Sequence, residues 1–273
     1  MQGIKTFIDT DIKAKYINTL LQVGFDTLDV GSFVSPKAIP QMKDTAQVLA
    51  QLDLDNTKTK LSAIVANLRG ATDAAQFEEI DFMGYPFSIS ETFQLRNTNA
   101  TIEKSIDRLK KIQEVCVKSN KELIVYLSMG FGNPYGDEWN AEIVMKWVET
   151  LYNFDIKIMH LSDTIGVANP KTISYLFSHL IPAYPQVEIA AHLHTPPHSW
   201  KEKVVAAYES GCRRFDGALK GFGGCPMAKD DLTGNMPTEN MIAYFDEVNV
   251  DLGFDRSKLN EALLMANDVF PLH

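Results

Sequence analysis

The sequence is poor in cysteine, and its three cysteines, Cys116, Cys212 and Cys225, share no short spacing. This pattern excludes a disulfide framework and a cysteine-based structural zinc site, and it is typical of a reducing compartment. Long apolar runs are absent too, because no stretch reaches the roughly 18 consecutive apolar residues of a membrane-spanning helix, and no signal-peptide core is visible. We therefore expect a soluble, cytoplasmic protein.

Positive charge is also scarce. The chain carries 26 lysines and arginines against 35 aspartates and glutamates, which gives a formal net charge of −9. No basic run offers the phosphate contacts that nucleic-acid binding requires. We expect neither nucleic acid nor a membrane as a partner, and an anionic ligand must be bound by a few local groups.

The residues that are present alternate between short apolar runs and amphipathic helical stretches, which is the pattern of parallel strands joined by crossover helices. Seven runs are strand candidates, at residues 27–31, 60–65, 79–84, 123–130, 156–163, 187–194 and 213–219. Helical periodicity is clearest at 101–119 and 141–154, and two further helical segments follow residue 236. No linker divides the chain, so we predict a single domain over residues 1–273.

The strand count bears on the fold class. A chain of 273 residues suits an α/β barrel of the TIM (β/α)8 type, which usually takes about 250 residues. Seven strands are one too few, and the chain enters its first helical segment at 11–24 with no strand before it. Three interpretations stay open: an open barrel, a doubly wound sheet, or a sequence that begins inside the first βα loop.

The run VEIAAHLH at 187–194 carries the clearest chemical signal. Alternation places His192 and His194 on the face opposite to the apolar residues, at the carboxyl end of the strand, where barrel active sites lie. Two imidazoles at this spacing either ligate one divalent cation or form a hydrogen-bonded pair. With the amide oxygen of Asn235 they form a mixed nitrogen and oxygen set, which suits Mg²⁺ or Mn²⁺ better than structural zinc.

The loop GFGGCPMAKDDLTGN at 221–235 sets Cys225 among glycines. Such a thiol acts as a proton donor or nucleophile when the loop closes over a site, or it is a free surface cysteine. Cys116 and Cys212 are expected to be packing residues. The carboxylates Asp29, Asp163 and Asp216 stand at strand ends, where they serve catalysis or cap the next helix, while we expect His160, His179, His198 and His273 to be surface or core residues.

Several motifs together resemble the hydroxymethylglutaryl-CoA lyase family, which belongs to the metal-dependent TIM-barrel lyases and aldolases. They are SFVSPKAIPQM (32–42), SDTIGVANP (162–170), AHLH (191–194), GFGGCPMA (221–228) and GNMPTEN (234–240). The resemblance implies an α/β TIM (β/α)8-type barrel whose first strand is missing from these residues, with an extra C-terminal helix. The implied partner is an acyl-CoA thioester.

The resemblance also implies a reaction, the retro-Claisen cleavage of 3-hydroxy-3-methylglutaryl-CoA to acetyl-CoA and acetoacetate. Mg²⁺ or Mn²⁺ is expected on His192, His194 and Asn235, with an aspartate, and Cys225 is expected to take part in protonating the acetyl-CoA enolate. The other site residues that it implies are Asp29, Asp163 and Glu239 as catalytic groups, and Ser32 and Gln2 as substrate-binding groups.

The chain departs from the family at three points. The family places an Arg-Asp pair just before the glutamine that Gln2 matches, and these residues do not contain it, so we expect weak or no activity from the 273 residues alone. Asp29 stands where the family has glutamate, and Thr195 replaces an aspartate. Two alternatives are therefore kept, a Claisen-type synthase or 4-hydroxy-2-oxoacid aldolase, and an inactive barrel fragment. Two free strand edges would favour a homo-oligomer.

Overall fold

The computed structural model describes Met1, Ile4, residues 6–224 and residues 233–270. Two residues of the predicted site, Gln2 and Cys225, lie outside these ranges. Within them, six strands form one parallel sheet in chain order. The strands are β1 (Thr27–Ser32), β2 (Lys60–Ile64), β3 (Phe82–Ser88), β4 (Glu122–Ser128), β5 (Ile158–Asp163) and β6 (Glu188–Leu193).

Helices occupy every connection between the strands, as the alternating pattern predicts, and further helices precede β1 and follow β6. They are α1 (Thr10–Leu21), α2 (Thr45–Leu49), α3 (Leu68–Ala74), α4 (Glu91–Thr98), α5 (Ile102–Lys118), α6 (Ala141–Tyr152), α7 (Pro170–Ala183), α8 (Trp200–Glu209), α9 (Thr238–Glu247) and α10 (Arg256–Val269). The last of these confirms the predicted additional C-terminal helix. Among the described residues, no helix is long and apolar enough to cross a membrane.

The two faces of the sheet have different cores. The larger core lies between the sheet and the helices, where strand residues such as Met83, Val125 and Met159 pack with helix residues such as Ile112 and Phe177. Cys116 and Cys212 are fully buried in this core, which confirms their predicted packing role. A smaller cluster lies on the inner face and contains Phe82, Ile124, Tyr126 and Ile158, with Ile64 packed against it.

The sheet curls into part of a barrel. Contacts across its inner face show the curvature, since the Tyr126 hydroxyl on β4 donates to Asp29 Oδ2 on β1 at 3.3 Å. Strands this far apart along a flat sheet would not bring their side chains together. The predicted α/β class and parallel topology are therefore confirmed.

The prediction of seven strands is wrong in one element. Residues 213–219 form a single bridge to β6, in which Ala191 N–H donates to Arg214 O and Asp216 N–H donates to Ala191 O, both at 2.9 Å. Pairing stops there because the chain turns to another partner: Ala218 N–H donates to Met236 O, and Thr238 N–H donates to Ala218 O.

Strand β3 also begins and ends later than the predicted 79–84. Its last residues pair with β4 alone, because β2 ends at Ile64 opposite Gly84. Gly84 O accepts from Val65 N–H, so the even-numbered residues of β3 turn their backbone groups toward β2. Pro86, which lacks an N–H, thus lies where β2 offers no partner, and this position tolerates a proline that otherwise argues against a strand.

One side chain connects the segment at residues 213–219, which follows β6, with β1. The Arg214 guanidinium lies 2.6 Å from Glu188 Oε2 at the start of β6 and 3.1 Å from the Thr27 hydroxyl at the start of β1. It also lies over the Phe82 ring, 5.7 Å from the centroid. No strand of the described ranges pairs with the free edge of β1, and Arg214 joins the two ends through its side chain.

We expect Arg214→Met to lower the free energy of unfolding by about 2 kcal/mol, because it removes charge-assisted hydrogen bonds from a side chain that is only 14% exposed. Urea denaturation measures the change, and Arg69→Met, on the exposed face of α3, is the control. Equal midpoints for the two variants would show that Arg214 does not hold the ends of the sheet together.

Candidate active site

The carboxyl end of β6 presents the two predicted histidines. His192 is the penultimate residue of the strand, and His194 follows the strand as the bridge partner of Asn235. Both lie on the inner face, with ring centroids 5.4 Å apart. The structure therefore brings together the three residues that the sequence proposes as cation ligands.

Asp216 fixes the tautomer of His192. Its Oδ2 lies 2.8 Å from His192 Nδ1, and a carboxylate accepts only, so Nδ1 carries the proton and Nε2 keeps its lone pair in the neutral ring. Burial lowers the pKa of His192, but the hydrogen bond and charge of Asp216 outweigh it and the pKa is raised. Burial alone would raise the pKa of Asp216. The neighbouring His160 and His192 outweigh burial and hold the pKa of that carboxyl well below its usual range.

His194 is fixed in the same tautomer by the backbone. Its Nδ1 donates to Thr233 O at 3.2 Å, whereas the neighbouring Thr195 hydroxyl donates to Pro196 O. Burial and the nearby His192 lower the pKa of His194 to about 3. The ring is therefore neutral near neutral pH, and neutral imidazole is the form that binds metals.

Asn235 is oriented by the glycine-rich segment. Its Nδ2 donates to Phe222 O at 2.8 Å, which leaves the amide Oδ1 as the remaining acceptor. Gly223 has φ +92°, and a Cβ there would lie 2.9 Å from Asn235 Nδ2. Only glycine fits this close approach without strain. Two Nε2 lone pairs and one amide oxygen make a donor set that fits Mg²⁺ or Mn²⁺.

Asp29 joins the histidines through Tyr126. The Tyr126 hydroxyl donates to Asp29, and the edge-to-face contacts of its ring place His160 and His192 at centroid distances of 4.9 and 5.3 Å. Asp29, on β1, is itself exposed. It thus lies in the same internal polar group as His192, with one side open to solvent.

Asp163 is directed away from this group. Its Oδ1 accepts from Ala168 N–H, and its Oδ2 lies 2.7 Å from Lys203 Nζ. Lys203 also donates to Gly166 O and to His194 O, so all three protons of its ammonium have an acceptor. Both side chains of this ion pair are at most 2% exposed. The pair therefore ties the end of β5, the following loop and the second histidine to α8.

The remaining predicted residues lie at the edges of the site. Glu239, in the first turn of α9, accepts from Lys220 N–H at 2.9 Å and lines a cavity of about 720 Å³ with Thr233 and Asn235. Ser32, buried on β1, donates to Ile64 O and accepts from Val34 N–H. Its hydroxyl is engaged by the backbone around it.

Sequence reasoning missed three residues of the site, Tyr126, His160 and Lys203. His160 is 1% exposed. Its Nδ1 lies 2.5 Å from Asp216 Oδ2, the same oxygen that accepts the hydrogen bond from His192 Nδ1. The signal that could have found it is alternation, because Ile158, His160 and Ser162 occupy the inner face of β5. Within the described ranges, one oxygen or nitrogen atom from each of His160, His192 and Asp216 lies within 4.8 Å of the others, a second arrangement that could hold a cation.

Fold and site together define an α/β enzyme with candidate cation ligands at the carboxyl end of a curled parallel sheet. The HMGL-like family model matches residues 1–265, and the chain belongs to this family. The hydroxymethylglutaryl-CoA lyase of Bacillus subtilis is 32% identical over 265 residues, which cover 96% of this chain and 87% of that protein. The rat cytoplasmic 3-hydroxy-3-methylglutaryl-CoA lyase is 30% identical over 96% of this chain and 76% of its own length.

Solved structures give the same result. An HMG-CoA lyase from Acinetobacter baumannii, in complex with coenzyme A and 3-methylmalate, superposes with a TM-score of 0.90 at 30% identity, covering 98% of this chain and 87% of that one. Hydroxymethylglutaryl-CoA lyase from Pseudomonas aeruginosa gives 0.91 at 28% identity, with coverages of 100% and 90%. The predicted resemblance and the predicted lyase class are confirmed.

We expect Lys203→Met to destabilise the protein by about 3–5 kcal/mol, because it leaves the Asp163 charge buried without its partner. Burial raises the pKa of Asp163, and Lys203 opposes this rise. Without the lysine the folded protein binds a proton at Asp163 more readily than the unfolded chain does. The deficit is therefore largest at neutral pH and shrinks as the pH falls toward the carboxyl range.

Urea denaturation at neutral and mildly acid pH measures both effects. Lys201→Met is the matched control on α8, since Lys201 pairs with Glu247 at the surface and such pairs contribute about 1 kcal/mol or less. A Lys203 variant no less stable than this control would refute the structural role given to the buried pair.

Proposed function

We propose that this protein is a divalent-cation-dependent carbon–carbon lyase that cleaves 3-hydroxy-3-methylglutaryl-CoA to acetyl-CoA and acetoacetate. The observation that carries the proposal is the arrangement of His192 and His194, whose Nδ1 atoms are both engaged so that both Nε2 atoms remain for a cation beside Asn235. The family relatives support the substrate, since they are hydroxymethylglutaryl-CoA lyases and one of them binds coenzyme A.

The proposed cation is Mg²⁺ or Mn²⁺, held by His192 Nε2, His194 Nε2 and the amide oxygen of Asn235. When bound, it supplies Lewis-acid stabilisation of negative charge on the substrate oxygens. The protein fixes the two imidazole tautomers in advance, so no ring has to turn when the substrate arrives. The neutral His194 presents no charge that would repel a cation.

Proton transfer is assigned to residues around this centre. Asp29, which is exposed and in contact with Tyr126, is proposed to accept the proton of the substrate hydroxyl group. Cys225 is proposed to protonate the enolate of acetyl-CoA after the carbon–carbon bond breaks. Glu239 lines the adjoining cavity, and Asp163 acts through Lys203 on the loop and on His194.

Ser32 and Gln2 are proposed to bind the substrate. We propose a (β/α)8-type barrel in which a further strand, ending in Arg-Asp, belongs between β1 and residues 213–219. The free edge of β1 and the side-chain contact of Arg214 with Thr27 support this placement. The same edge supports self-association of the chain into a homo-oligomer.

In the protein extended before Met1 by a strand that ends in Arg-Asp, we expect release of acetoacetate from 3-hydroxy-3-methylglutaryl-CoA to require Mn²⁺ or Mg²⁺ and to stop on chelation. His194→Ala is expected to lower kcat/KM by ~100-fold or more, since even the outer partners of metal ligands contribute about 10–100-fold. His179→Ala, on the exposed face of α7, is the matched control. Cleavage of 4-hydroxy-2-oxovalerate in place of the thioester would instead identify an aldolase.

The proposed strand and thiol are tested together. Adding a strand that ends in Arg-Asp before Met1 is expected to raise turnover by ~100-fold or more, because it supplies a charged group that stabilises the developing negative charge. In that background Cys225→Ala should lower kcat by ~100-fold or more with little change in Mn²⁺ affinity, as loss of a general acid does. Full turnover by the 273 residues alone would contradict the need for the added strand.

A further inference from the structure

A buried polar layer lies beneath the proposed cation ligands. Its centre is one oxygen, Asp216 Oδ2, which accepts from His160 Nδ1 at 2.5 Å and from His192 Nδ1 at 2.8 Å. His160 is almost fully buried, whereas the Asp216 and His192 side chains are about one quarter exposed. Two histidines from neighbouring strands thus meet on a carboxylate from the segment that follows β6.

The register of the strands separates the roles of the two histidines. Ser162 pairs with His192, and His160 pairs with Ala190, so His160 lies one inner-face layer further from the carboxyl end. Below it lie Ile124 and Ile158 of the small apolar cluster. Within the described ranges, His160 is linked to the site by its hydrogen bond to Asp216 and by its contact with the Tyr126 ring.

The double contact restricts the carboxylate. With a single donor, Asp216 could rotate about its side-chain bond and accept from water on its exposed side. The second donor, His160, holds Oδ2 from the buried side. A carboxylate held in this way keeps His192 in one tautomer and one ring orientation, which is how groups behind a metal-binding histidine act.

We propose that His160 is a positioning residue that acts through Asp216 to hold the Nδ1-protonated form of His192, so that His192 Nε2 is kept for a divalent cation. This inference rests on the cation centre of the proposed function. The buried Nε2 of His160 has no hydrogen-bond partner among the described residues, and it is the unprotonated nitrogen, because an unpaired buried N–H would be costly.

The alternative is that His160, His192 and Asp216 themselves ligate the cation. If the two Nδ1 atoms ligated the cation, His160 and His192 would both lose their Nδ1 protons. The two hydrogen bonds that Asp216 Oδ2 accepts would then be broken. Such ligation would also turn the lone pair of His192 away from His194, 5.4 Å distant, and leave Asn235 without a role. The hydrogen-bonded geometry therefore favours positioning over direct ligation.

Two substitutions at position 160 separate the two roles. His160→Asn keeps an amide N–H near the position of Nδ1 and can still donate to Asp216, but an amide nitrogen in that position has no free lone pair with which to ligate a cation. His160→Leu removes the donor and fills a similar volume. His179→Leu, at the surface of α7, removes one histidine elsewhere and is the matched control.

The first measurement is the affinity for Mn²⁺ alone, without substrate, from the electron paramagnetic resonance signal of the free ion. We expect His160→Leu to weaken binding by about 10-fold or more, within the 10–100-fold range for such outer partners, and Asp216→Asn to do the same. His160→Asn should restore affinity to nearly that of the parent protein. An asparagine variant as weak as the leucine variant would instead show direct ligation and overturn the proposal.

The second measurement needs no metal. Imidazole ¹⁵N shifts in the metal-free protein, at a pH where His192 is neutral, report which ring nitrogen carries the proton. The parent protein and His160→Asn should show a single Nδ1–H form of His192, and His160→Leu a mixture of both forms. A mixture in the parent protein, or an unchanged single form in the leucine variant, would overturn the proposal.

The two measurements also separate this inference from the proposed function. A parent protein that binds no Mn²⁺ while His192 keeps its single tautomer would refute the cation centre and leave the positioning intact. Normal Mn²⁺ binding by His160→Leu would refute the positioning and leave the centre intact. If the leucine variant does not fold, Asp216→Asn carries the same expectations in both measurements.

Discussion

The buried ammonium group of Lys203 connects the elements on which the site depends. It reaches Asp163 at the end of β5, Gly166 in the next loop and the carbonyl of His194 after β6. A buried charge is tolerated only when its hydrogen bonds are complete, and here each proton of the ammonium has an acceptor. The position of the second histidine, and the loop that borders the cavity with it, therefore follow from where α8 places one side chain.

Much of this architecture could be predicted from local pattern. The alternation in VEIAAHLH places His192 and His194 on the inner face without knowledge of any other strand, because side-chain direction in a strand has a period of two. Asn235 could be linked to them only as the end of a glycine-rich segment, and in the structure its backbone pairs with that of His194. The strands were found because each is a short apolar run, although Pro86 concealed the end of β3.

The residues that the sequence did not reveal depend on contacts between distant positions. His160 and Asp216 are 56 residues apart, and no pattern in either segment indicates that they meet on one oxygen. Lys203 did carry a signal, since it lies three residues after Trp200 and four before Ala207 on the buried face of α8. A lysine is read as a surface residue by default, and only the acceptors at the strand ends make its burial possible.

Asp29 on β1 and Asp163 at the end of β5 have very different surroundings. Asp29 is exposed at the free edge of β1, and water reaches the polar layer from that side. Asp163 is sealed behind Lys203 and the loop. Solvent therefore contacts the Asp29 carboxylate directly, whereas solvent access to Asp163 has to await a local opening of the fold. The sheet thus combines one carboxylate that is open to solvent and one whose surroundings must open before water can reach it.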